Sequence, residues 1–219
     1  MDFIDLDGNY QAAVLAGANA DLDGEDLPED EAFWGSIGLT VIQLECPIPF
    51  TEAIGLKSKN YGIPILLNAA PAIPFPDSWW DWVDILVVNE LEAETFSKKK
   101  IDDFEDARRS MEILLDRCQN TVITLGEKGL LIGEGSQMKH IPAHTVSTVS
   151  TLGAGDAFVG VMAAELCQGA DFEKSAQIAN YAAAASVTGW GAQTSYLTPQ
   201  ILLEYPVLGE SFQQWHQMS

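Results

Sequence analysis

From residue 39 onward, short apolar runs alternate with segments of helical character. Leu39–Leu44, Ile63–Leu67, Ile85–Val88 and Thr121–Leu125 suit strands buried on both faces. Between them, Thr51–Tyr61, Leu91–Ser97 and Phe104–Arg117 read as helices. Strands joined through helices predict an α/β fold with a mostly parallel sheet and helices on both faces. Leu130–Ile132 and Met138–Ile141, separated by Gly133-Glu-Gly135, predict an antiparallel hairpin at the sheet edge. The pattern then changes. Ala154–Gln168 predicts a helix opening directly from a glycine loop, and Phe172–Thr188 an alanine-rich helix in which Ala182 to Ala185 permit close packing. At the other end, Phe3–Leu6 and Tyr10–Ala16 flank Asp7-Gly8-Asn9, whose Asp-Gly pair has hairpin-turn chemistry. The acidic stretch from Asp21 to Glu31 reads as a solvated loop and a helix start. No internal repeat and no linker divides the chain.

Composition narrows the classes of function. With 219 residues, 47% of them hydrophobic, the chain can bury one sizeable core and is not expected to be disordered. There is no apolar run of bilayer-spanning length, and the N-terminus is acidic where a signal peptide would be basic, so a cytoplasmic location is expected. The formal net charge of −21 argues against nucleic acid or an anionic membrane as a partner. It repels ATP as well. A nucleotide site on this chain must therefore rely on backbone N–H groups, helix N-termini and Mg²⁺. Cys46, Cys118 and Cys167 fit no disulfide or metal spacing and read as reduced thiols, mostly in the core. His140 and His144 are four apart, but Pro142 lies between them in an extended segment, which argues against a shared metal.

The segment Ser150-Thr-Leu-Gly-Ala-Gly-Asp156-Ala-Phe carries the most chemistry. Small residues at Gly153, Ala154 and Gly155 let the backbone wrap an anion, and the first-turn amides of the following helix would point at it with the helix dipole behind them. An acidic side chain competes with that anion. Asp156 makes sense there as a base that deprotonates an attacking hydroxyl while the amides hold a transferring phosphoryl group. One such donor is worth on the order of 3 kcal/mol to a transition state. The alternative is that Asp156 only caps the helix, and spacing alone does not separate the two.

This stretch resembles the Asp-Thr-x-Gly-Ala-Gly-Asp signature of the ribokinase (PfkB) carbohydrate kinases, and further matches follow in the family's order. Gln43-Leu-Glu45 resembles the strand end that carries a sugar-contacting Glu. Asn68-Ala-Ala-Pro71-Ala is similar to the family's Asn-Pro-Ala-Pro segment, and Asn89-Glu-Leu-Glu92 to its Asn-x-x-Glu motif. Thr124-Leu-Gly126-Glu127-Lys128-Gly129 resembles the nucleotide-binding turn. Asn180 and Gly191-Ala-Gln-Thr-Ser195 resemble the adenine-side and monovalent-cation loops. The matches span residues 1–205 and are most similar to ribokinase itself.

The resemblance implies a ribokinase-like three-layer sandwich that transfers phosphate from ATP to a sugar. It implies Asp156 as base, Gly153, Ala154 and Gly155 as anion hole, and Glu45 with Asp156 on the sugar side. Asn89, Thr124, Gly126, Glu127, Lys128, Gly129, Gly155 and Asn180 would contact ATP. Glu92 would organise Mg²⁺ through water, and Ser150, Leu152, Ser186, Gly189, Gly191 and Ser195 would lie at a K⁺-type site. Simpler local explanations stand beside these roles. Asn89 and Glu92 also suit the start of a helix, and Thr124-Leu-Gly126 suits an ordinary strand exit.

Two departures from the family pattern matter. Position 150 is Ser in place of Asp, which removes a full charge from a site for a hard cation. The chain also begins at what resembles a late lid hairpin, without the family's Gly-Gly-rich opening section. The expected organisation is thus a lid remnant over residues 1–20 and a catalytic domain over 21–219. An open sheet edge is expected to invite a second copy or a complementing chain. The activity expected is phosphorylation of a sugar, ribose first; the alternative is a catalytically weak nucleotide-binding or regulatory protein.

Overall fold

The structure, a computed structural model, describes the strands β1 (Asp2–Ile4) and β2 (Tyr10–Ala12) and then residues 15–196. The expected turn at Asp7-Gly8-Asn9 and the part of the family match beyond Tyr196 lie outside the described residues. β1 and β2 pair antiparallel with Phe3 opposite Gln11. The chain groups into two compact units, residues 15–141 and residues 142–219 together with 1–14.

The acidic stretch opens the first unit as two short 3₁₀ turns followed by α1 (Glu31–Gly35). The carboxylates of Asp23 and Asp30 accept hydrogen bonds from the amides of Glu25 and Ala32, so this acidic run is partly consumed in starting its own turns. Next come β3 (Thr40–Ile42), α2 (Ile48–Asn60), β4 (Ile65–Asn68), β5 (Ile85–Asn89), α3 (Glu90–Ser97), α4 (Phe104–Leu115), β6 (Asn120–Thr124), β7 (Leu130–Glu134) and β8 (Gln137–Ile141). The six strands form one sheet in sequence order. β3 to β6 are mutually parallel, while β6–β7 and β7–β8 are antiparallel. The expected α/β fold, its mostly parallel sheet and its edge hairpin are all present. The other edge strand is β3, where Val41 is exposed.

β4 is buried along its whole length, the pattern of a strand covered on both faces. The amphipathic α4 turns Ala107, Met111 and Leu114 into the same core. The run from Phe75 to Trp82 is an element that the alternating pattern does not announce. A 3₁₀ turn over Asp77–Asp81 buries Trp79 completely, with Phe75 and Trp82 each 5.0 Å from it between ring centroids. Of the cysteines expected mostly in the core, only Cys118 is buried. There, loss of water holds its thiol at about 11, too high for ready reactivity. Cys46 is half-buried in the bend before α2 and Cys167 is exposed in the last turn of α5 (Ala154–Cys167).

The second unit contains β1, β2, α5 and α6 (Phe172–Ser186). α5 and α6 pack side by side. Ala176, Ala179, Ala182 and Ala185 are buried along α6, so the alanines recur at helical spacing where close approach requires small side chains.

Two glycine-to-alanine changes on helices should have opposite signs. At Gly55 of α2, an added Cβ would lie 2.6 to 2.7 Å from three ring atoms of Trp82. Overpacking of that kind costs roughly 1–3 kcal/mol, against a helix-propensity gain of about 1. Gly160 of α5 faces open space. Gly55→Ala should lower Tm and Gly160→Ala should raise it, by roughly 0.5–1 kcal/mol in the second case. Thermal unfolding followed by circular dichroism measures both.

Candidate active site

Parallel strands end on one edge of a sheet, and open α/β sheets bind ligands at the carboxyl edge. In the first unit that edge gathers residues that the sequence scatters over eighty positions. Glu45 is exposed in the bend after β3; Asn68 ends β4, Asn89 ends β5 and Thr124 ends β6. Asn89 and Thr124 stand opposite each other in the ladder.

Asn89 is also the N-cap of α3. Its Oδ1 accepts from the amide of Glu92 at 2.9 Å, while its own amide and Nδ2 donate to the two Glu92 carboxylate oxygens at 2.7 and 2.9 Å. This is a reciprocal capping box. Glu92 is buried, and burial raises its pKa above the usual carboxylate range, although both hydrogen bonds from Asn89 pull the other way. Both of its oxygens are turned to Asn89. The structural role read from sequence is thus realised, and a metal would have to be reached through water or after that cap opens.

After β6 the chain makes a 3₁₀ turn over Gly126–Lys128. Leu125 N–H donates to the Gly129 carbonyl at 2.8 Å, closing a small loop, and Gly129 adopts φ +91° to permit it. Glu127 and Lys128 are exposed on that turn. His140 Nε2 lies 2.7 Å from the Lys128 carbonyl oxygen, and its ring meets Phe104 edge-on. His144 packs instead against Tyr181 in the other unit, and its pKa is lowered by burial. Among the described residues, no group of three or more His, Cys, Asp or Glu side chains could hold a metal.

The second unit carries the glycine loop. α1, α3, α4 and α6 each start with a side chain bonded to a first-turn amide, from Asp30, Asn89, Asp103 and Asp171. α5 does not. Its N-cap is Gly153, at φ +80° and ψ 2°, with no side-chain cap, and Gly155 and Asp156 are both exposed in its first turn. A residue with a side chain is doubly excluded at Gly153. The left-handed backbone costs a β-carbon roughly 1–2 kcal/mol, and that carbon would come within 2.9 Å of Ala192 Cβ and 3.0 Å of Tyr196 Oη.

The residues matched to the cation loops also meet here. The amides of Val149 and Ser150 both donate to the Val187 carbonyl, at 2.7 and 3.2 Å, which fastens the loop to the end of α6. Ser150, Ser186 and Ser195 are buried. The Ser150 hydroxyl accepts from Leu152 N–H at 3.3 Å, the Ser186 hydroxyl donates to Ala183 O at 2.8 Å, and the Ser195 hydroxyl donates to the carbonyls of Gly191 and Ala192. Gly189 packs against Ser195, where a Cβ would meet the serine Cβ at 3.1 Å. Asn180 is buried with its Nδ2 donating to the Pro142 carbonyl at 2.9 Å, so part of its hydrogen-bonding capacity ties down the strand-to-loop junction.

One residue of this group goes unnoticed in the sequence. Tyr196 follows directly on the Gly191–Ser195 motif, and that adjacency is the only signal that could have flagged it. Its phenol rests over Gly153, and its pKa is raised, first by burial and then by the negative charge of Asp156. Tyr196 therefore stays a neutral O–H donor beside the loop.

The chain resembles known proteins in sequence and in fold. The chain is similar to the deoxyribokinase of Salmonella typhi, 35% identical over 210 residues covering 95% of this chain and 69% of that protein. It is similar to the ribokinase of Haemophilus influenzae, 31% identical over 94% of this chain and 68% of the other. The crystal structure of a Thermotoga maritima ribokinase superposes with a TM-score of 0.77 at 28% identity, covering 97% of this chain and 68% of that one. Residues 2–199 match the pfkB family of carbohydrate kinases. By its strand order, its glycine-opened helix and these likenesses together, the chain belongs to the pfkB family and is a carbohydrate kinase.

Proposed function

We propose that the chain phosphorylates a pentose hydroxyl with ATP, that of ribose first, with Asp156 as the base. The observation that carries this reading is the mouth of α5: it is the helix whose start is a left-handed glycine, with an exposed acid in the first turn and no side-chain cap from its N-cap residue. The first-turn amides suit an anion, and the acid suits a proton acceptor. As the sugar oxygen bonds to the γ-phosphorus, Asp156 takes its proton and the bond between that phosphorus and the ADP oxygen breaks. The Gly155 and Asp156 amides donate to the transferring phosphoryl oxygens, whose charge they stabilise. Sugar phosphate and ADP leave, and Asp156 returns its proton to water.

We assign the turn from Thr124 to Gly129 to nucleotide binding, on the support of its place at the carboxyl edge and its tight glycine geometry. Glu45, exposed at the same edge, is the sugar-side candidate of that unit. The donor set fits Mg²⁺ carried in on ATP phosphates better than Mg²⁺ in an all-protein cage, as is usual for that ion. Such an ion offsets phosphate charge, and Glu92 can reach it only through water while its oxygens cap α3. For K⁺ the supporting set is weaker: among the described residues the matched site has hydroxyls and carbonyls but no carboxylate, and its buried serine hydroxyls are engaged with the backbone.

A coupled assay of ADP release with ribose and with 2-deoxyribose should give turnover. Asp156→Asn should reduce kcat by about a thousandfold, within the range of a lost general base, while MgATP affinity by calorimetry stays within about threefold. ATP binding with no ADP release above that variant, for either sugar, would overturn the reading. Salt gives a second test. With a net charge of −21, screening should lower the KM for MgATP as ionic strength rises toward about 0.1 M, where the Debye length is about 10 Å. KCl and NaCl should act alike at matched ionic strength. An increment in kcat specific to K⁺ would instead establish a cation site around Ser150.

A further inference from the structure

We propose that Tyr196 is a positioning residue for phosphoryl transfer, its hydroxyl lying on Gly153 at the mouth of α5 beside Asp156. The inference rests on the reading of that mouth as the phosphoryl site and adds a residue to it. The geometry is specific to the hydroxyl. The atom of Tyr196 that approaches Gly153 is Oη, 3.0 Å from the point a β-carbon would occupy, and Ala192 flanks the same point at 2.9 Å. Together they roof one side of the left-handed residue that aims the first-turn amides. A phenol held there limits the positions a phosphoryl group can take, leaving the exposed Gly155–Asp156 side as its seat.

Chemistry favours a phenol in this place. Desolvation and the Asp156 carboxylate both resist its ionisation, so it adds a donor without adding charge. Phenylalanine would keep the ring and leave a gap of one oxygen over Gly153. Tyr196 is also partly exposed, so the change is not one that empties the core.

The test compares the wild-type chain, Tyr196→Phe and Asp156→Asn for binding of MgATP and of MgADP with aluminium fluoride, a mimic of the phosphoryl group in flight, alongside kcat and KM for ribose and 2-deoxyribose. Tyr196→Phe should bind MgADP–aluminium fluoride about tenfold more weakly, the effect of one neutral hydrogen-bonding group, and lose kcat in parallel. Its MgATP affinity and Tm should remain near wild type. Equal binding of the mimic by wild type and Tyr196→Phe would overturn the proposal, as would a loss matched by a fall in Tm or in the fraction of active sites, which marks a purely structural role. The binding arm reads out whether or not turnover is fast. If the wild-type chain fails to bind the mimic, or if Asp156→Asn turns over normally, the failure belongs to the reading of the α5 mouth itself.

Discussion

The backbone at Gly153 is the constraint on which the site depends. A helix starts with amides that have no partner within it, and most of the described helices satisfy one of them with an Asp or Asn from the preceding residue. α5 satisfies none this way. The left-handed turn at Gly153 removes the capping side chain, and the close approach of Ala192 and Tyr196 means that none could be put back. On the proposed reading, the exposed start of α5 receives an anion, and Asp156 in the same turn takes a proton there. The loop in turn depends on α6, whose last turn holds Val149 and Ser150 through the Val187 carbonyl.

The same physics runs the other way at α3. There the capping box between Asn89 and Glu92 consumes both carboxylate oxygens and buries the acid. Burial favours the protonated form, and two hydrogen bonds favour the ionised one. Sequence alone leaves the helix-start and nucleotide readings of Asn89-x-x-Glu92 side by side, and the geometry shows why. One pair of residues can serve as a cap and still stand at the carboxyl edge beside Thr124, where a ligand would meet it. A role in catalysis for Glu92 has to compete with the cap.

Much of the fold is legible because its signals are local. The buried strand Ile65–Asn68, the amphipathic α4 and the hairpin that turns at Gly135-Ser136 each announce themselves within a dozen residues, by apolar runs, helical spacing or turn chemistry. The 3₁₀ turn at Asp77–Asp81 does not, since nothing in a Trp-Trp-Asp-Trp run says which rings face inward until Phe75, Trp79 and Trp82 come together. The cysteines mislead for a related reason. Burial is a property of what covers a residue, and Cys167 is exposed at the end of its helix.

For the site, the order and spacing of the motifs along the chain were enough to specify the α/β class, the glycine-opened helix, the acid at 156 and the family to which they belong. Those features are carried by contiguous residues whose backbone preferences act over a single turn. Tertiary structure alone decided that Glu45, Asn68, Asn89 and Thr124 share one sheet edge, and that Tyr196 covers Gly153. Each of these depends on contacts between residues brought together by strand register or by the packing of a loop, and register and packing are set by the whole core.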